Sequence, residues 1–177
     1  MRRKWVVLTA IAVGLMLGQT AWAGSAPAVV SITATVDSFA EWANASPAIV
    51  AADWSAHIGA VNQTQTVTKA LTLYANVTIT LTPTGSTNSG ILTNGTDTLS
   101  TSYKITGDVT VPDAAYKVAG TAEGEFFATV PANTYTVTQV AGDGSYAISL
   151  SVQAVSPNNR APDSGDYTCG VTLTAGW

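Results

Sequence analysis

Apolar residues recur at every second position near both ends of this chain. Val30, Ile32, Ala34 and Val36 alternate with Ser31, Thr33 and Thr35, and the chain closes on Tyr167, Cys169, Val171, Leu173, Ala175 and Trp177 at the same spacing. A period of two puts those side chains on one face of a β-strand. Each end is therefore built to be buried on one side, against a sheet.

The residues before Gly24 stand apart from this pattern. Arg2, Arg3 and Lys4 precede an apolar run over 5–17, too short to span a bilayer, and the run leads into Ala21-Trp22-Ala23. This combination predicts a secretory signal peptide over 1–23, removed before Gly24. No cysteine stands at the cleavage point for lipid attachment, and no later stretch is long and apolar enough for a membrane helix. The mature chain is expected to be secreted and soluble or polymeric, with no membrane insertion after cleavage.

Cleavage leaves 154 of the 177 residues, enough for one domain with its own core. It also leaves Lys69, Lys104, Lys117 and Arg160 against 11 acids, a net charge near −7. That balance argues against nucleic acid and against anionic membranes as partners. Cys169 is the sole cysteine, so no internal disulfide can form, and its place in the closing strand reads as a small buried residue.

Between the two ends the chain is rich in Thr, Val, Ala, Ser and Gly, a composition that suits pleated strands. The clearest strand expected is 71–81, where Leu71, Leu73, Ala75, Val77, Ile79 and Leu81 alternate with mostly polar residues. The stretch 83–90, Pro-Thr-Gly-Ser-Thr-Asn-Ser-Gly, reads as a loop, and Asn94-Gly95 as a hairpin turn. Further strands are expected at 98–106, 124–130, 134–140 and 145–155, with turns at 141–144 and 157–165. Short strands, a period of two and polar turns predict an all-β, antiparallel, Ig-like sandwich. One stretch differs: Ser46-Pro47 could start a short helix carrying Val50, Trp54 and Ile58 on one face, or the segment could be an irregular crossing loop.

Catalysis requires a nucleophile with a base, paired carboxylates or a metal cluster. His57 is the only histidine and lies in no nucleophile motif, so no enzyme is expected. Asp143, Asp163 and Asp166 lack the spacing of a calcium loop and read as turn residues. Asn44, Asn62, Asn76 and Asn94 match the N-x-S/T pattern, as chance allows in a chain so rich in Thr. Trp42, Trp54 and Trp177 read first as packing residues, with a sugar-binding platform as the alternative use. No cofactor and no metal is implied.

The opening Val30-Ser31-Ile32-Thr33-Ala34-Thr35-Val36-Asp37 and the closing stretch over 161–174 together resemble fimbrial subunits of the chaperone-usher, alternate (alpha) type, and related spore-coat-like secreted proteins. The resemblance covers about thirty residues and implies an Ig-like sandwich lacking one strand, completed by the N-terminal extension of the next copy. By position it assigns Val30, Ile32, Ala34 and Val36 as donor residues on an extension spanning 24–37. It assigns Tyr167, Val171, Leu173 and Ala175 of the domain over 38–177 to the acceptor groove or to the chaperone contact. The partners implied are copies of the chain itself in a homopolymer, a periplasmic chaperone and an outer-membrane usher, with the cell surface as destination. The expectation is a structural subunit of a pilus; the alternative is a self-contained, secreted β-sandwich that binds glycans through Trp42 or Trp54.

Overall fold

Threonine and valine, stiff at the β-carbon, recur through the extended segments and favour strand over helix. The computed structural model describes residues 33–44, 47–50, 53 and 57–177. The chain divides into two units, Met1–Thr35 and Val36–Trp177, and the fold belongs to the second. Its described residues form eight strands: β1 (Ala40–Trp42), β2 (Thr64–Ala75), β3 (Ile79–Thr87), β4 (Ser100–Gly107), β5 (Lys117–Val118), β6 (Tyr135–Val137), β7 (Ser145–Val155) and β8 (Gly170–Gly176). They pair antiparallel in two sheets, of order β1-β2-β7-β4-β5 and β6-β3-β8. Among the described residues there is no α-helix, and so none long and apolar enough to cross a membrane.

The all-β sandwich expected from the sequence is what forms. In chain order, β1, β2, β3, β4, β7 and β8 take the places of immunoglobulin strands A to F: A-B-E-D make one sheet and C-F pair in the other. β5 and β6 fall between D and E in sequence and extend the two sheets at the edge away from β1 and β8. The seventh strand of that order, G, lies beyond F; no described strand pairs with the outer edge of β8.

Cross-strand register assembles the core from the alternating rows. Leu73 lies opposite Tyr146, Val67 opposite Val152 and Ile105 opposite Leu150, with Ile79 and Leu81 of β3 fully buried on the facing sheet. Each such side chain contributes roughly 1.5–3 kcal/mol on leaving water. Tyr103, Phe126, Phe127 and Tyr135 form an aromatic cluster with ring centroids 4.9 to 6.4 Å apart.

Several expected elements differ in outline. The single strand at 71–81 is instead the end of β2, a corner at 76–78 and the start of β3, so one alternating row passes from one sheet to the other. Asn76 makes the corner: its Oδ1 accepts the Phe39 N–H at 2.8 Å and its Nδ2 donates to the Asp37 carbonyl at 2.8 Å. The loop expected at 83–90 is mostly strand. Pro83 is tolerated in β3 because β6 pairs only as far as Leu81, leaving that side of the backbone without a ladder partner. The strand expected at 124–130 is a series of turns. A strand would send adjacent Phe126 and Phe127 to opposite faces, whereas the turns bury both. In 46–58 the described residues form no α-helix; Ser46 and Trp54 lie outside the described residues.

Candidate functional site

The closing strand is set in place by the polar residues that precede it. Asp97 has a side chain only 3 % exposed. It accepts from the Arg160 guanidinium through both oxygens, from the Thr98 N–H at 2.7 Å and from the Asp163 N–H at 3.1 Å. The Arg160 hydrogen bonds hold the Asp97 carboxyl well below the usual carboxylate range, against the opposing effect of burial. Tyr167 belongs to this clamp, its hydroxyl 3.0 Å from the Asp163 carbonyl and 3.3 Å from Asp97 Oδ2. Burial first, then the Asp97 charge, pushes that phenol up.

From the next residue on, the chain docks against the core. Thr168 and Thr93 exchange backbone hydrogen bonds at 2.9 and 3.2 Å. Cys169 Sγ lies 3.2 Å from the Tyr103 hydroxyl, which donates to the Gly90 carbonyl at 2.5 Å. Burial pushes the Cys169 thiol up, against the opposing Tyr103 hydrogen bond. From this anchorage β8 runs along β3 in register from Val171 opposite Gly85 to Gly176 opposite Thr80.

Beyond that anchorage the sandwich is open. Along β8, Val171, Leu173 and Ala175 point inward but are only half-buried, while Ile79 and Leu81 of the neighbouring strand are fully buried. A groove of about 370 Å³ lies between β8 and the other sheet, walled by Val171, Leu173, Leu71 and Leu150, with Trp42 of β1 and Ile49 of the segment after it. One charge intrudes on this apolar row: Lys69, on the inner face of β2, lies 4.0 Å from Asp53. Because Pro83 has no N–H, the ladder between β3 and β8 suits hydrogen-bonded pairs at Thr80, Thr82 and Thr84. The backbone N–H and C=O groups of Val171, Leu173 and Ala175 would then face the outer edge.

The expected acceptor residues thus separate into two groups. Val171 and Leu173 line the groove and Ala175 packs half-buried in the same row. Tyr167 does not line it; its hydroxyl draws it into the Asp97 clamp, and its ring packs with Leu92, Leu99 and Ala154. Of the expected donor residues, Val30 and Ile32 lie outside the described residues, and Ala34 and Val36 are exposed, outside any strand. Sequence reasoning missed Trp42, Ile49, Lys69, Leu71 and Leu150 as groove walls. Leu71 and Leu150 were legible as inward residues, but no local signal says which inward residues stay half covered.

The groove offers a strand edge beside an apolar row. His57 is exposed, and among the described residues no three His, Cys, Asp or Glu side chains gather as metal ligands would. A second cavity of about 360 Å³, walled by Asp108, Val109, Thr110, Thr138, Val140, Asp143, Ser145 and Tyr146, is an open recess of mixed polar and apolar lining. No protein-family model matches the chain, and no curated protein matches it.

Proposed function

We propose that the protein is a structural subunit of a secreted surface filament, assembled when the N-terminal segment of one copy adds as a strand beside β8 of the next. The observation that carries this reading is the half-buried row Val171, Leu173 and Ala175 on the edge strand β8, which lies beside the place of strand G in an immunoglobulin order. Strand addition uses both features: backbone groups at the edge provide affinity, and pockets for alternate side chains provide register. The segment 30–36 has the matching form, with Val30, Ile32, Ala34 and Val36 to enter the groove and Ser31, Thr33 and Thr35 to face water. Burying four such side chains is worth roughly 4 to 8 kcal/mol before ordering costs. The same edge would serve a periplasmic chaperone before an outer-membrane usher passes the subunit on.

The test is deletion of residues 24–36. Size-exclusion chromatography and negative-stain microscopy should find polymers of the mature protein and none of the truncated one, and a peptide of that sequence should raise the melting temperature of the truncated monomer. Normal polymers from the truncated protein would refute the proposal.

A further inference from the structure

At the edge of the sandwich opposite β8, an amine, an amide and a carboxylate converge. Lys117 Nζ lies 2.8 Å from Asp113 Oδ1 and 2.9 Å from the side-chain carbonyl oxygen of Asn133. Asp113 has a side chain 4 % exposed, and its second oxygen accepts the Ile105 N–H at 2.8 Å and the Tyr135 hydroxyl at 2.7 Å. Asn133 is oriented from its other end, because its Nδ2 donates to the Phe126 carbonyl at 2.8 Å and lies 3.0 Å from the Tyr135 hydroxyl. The walls are aromatic: Phe126 and Tyr135 are buried, and the ammonium stands 5.3 Å from the centre of the Tyr135 ring.

An ion pair between Lys117 and Asp113 would need no third group. Here an amide, fixed in plane by a backbone carbonyl, is presented to the same nitrogen. A neutral amine held against an amide carbonyl gains the advantage of an intramolecular reaction, on the order of 10⁵ to 10⁸ M in effective concentration.

We propose that Lys117 and Asn133 become joined by an isopeptide bond, with Asp113 carrying the protons. Asp113 takes one proton from the Lys117 ammonium, and the freed lone pair of Nζ attacks Cγ of Asn133, forming the new C–N bond as the carbonyl electrons move to oxygen. Asp113 passes its proton to the Asn133 nitrogen, directly or through the Tyr135 hydroxyl that touches both, and a second proton follows from Nζ. The carbonyl re-forms, the old C–N bond breaks and the side-chain nitrogen departs as ammonium, leaving Asp113 a carboxylate. Atoms and charge balance without an oxidant or co-reactant. Burial, and then the Asp113 hydrogen bond, push the Tyr135 phenol up, so it remains a protonated bridge. The side chain of Lys117 is 32 % exposed, which gives the leaving group a way out. The bond would tie β5 of one sheet to the segment entering β6 of the other, an addition independent of the assembly proposed at β8.

Mass spectrometry of the folded, then denatured and digested protein tests this. Trypsin does not cut after an acylated lysine, so residues 105–160 should appear as one piece, lighter than its sequence by one ammonia. Cutting after Glu123 and Glu125 should leave 105–123 and 126–160 still attached. Lys117→Arg keeps a cation beside Asp113 and cannot form the amide, so its fragments should carry full sequence mass. Free 105–117 and 118–160 peptides of full mass from the folded protein would overturn the proposal. So would a missing ammonia that persists in Lys117→Arg.

Discussion

A carboxylate withdrawn from water is tolerated when cations and N–H groups replace its hydration, and Asp97 has Arg160 with the Thr98 and Asp163 amides in that role. Its folded pKa lies below the ordinary value of about 3.9. The stabilisation is therefore complete at neutral pH and is lost as the pH falls below that value. Asp97→Asn should lower stability at pH 7, and its deficit against the parent protein should shrink below about pH 4, as read by urea denaturation across a pH series. A deficit that is constant with pH would show that the charge is not what Asp97 contributes. Gly90 is fixed by different physics. Its φ is +74° and a β-carbon there would meet the Phe127 ring, so Gly90→Ala should cost about 1 to 3 kcal/mol. Thermal melting should register this as a fall of about 3 to 10 °C, and an unchanged midpoint would mean that the ring yields freely.

The strands themselves were legible where alternation was uninterrupted. The row over 145–155 is β7 without change of bounds, and Asn94-Gly95 turns as expected, with Gly95 at a φ of +91° and the Asn94 side chain accepting the Thr96 and Asp97 N–H groups. The reading failed where alternation continued through a change of sheet at Asn76, and where a proline sat on a backbone side without a ladder partner. Alternation reports which face is buried, and it is silent on the sheet to which that face belongs. The contrast between β3 and β8 gives a prediction at this scale. Leu81→Ala, in a closed part of the core, should cost about 2 to 5 kcal/mol, while Leu173→Ala at the open row should cost under about 2 kcal/mol in the free monomer. Equal losses in urea denaturation would mean that β8 is as closed as β3.

For the molecule as a whole, the order A-B-E-D over C-F leaves a half-covered apolar row along β8, and the Asp97 clamp holds the residues that lead into that strand. Donor-strand assembly and an isopeptide bond would strengthen opposite edges of the same sandwich, one between copies and one within each. The amino-acid sequence alone determined that the chain makes strands and which face of each is apolar, because those properties depend on neighbours two residues apart. It also marked Val171, Leu173 and Ala175 as inward residues. The tertiary structure decided that their row stays half covered, that Tyr167 turns away to Asp97 and that Asp113, Lys117 and Asn133 meet. Those outcomes depend on contacts between segments distant along the chain, which no local period encodes.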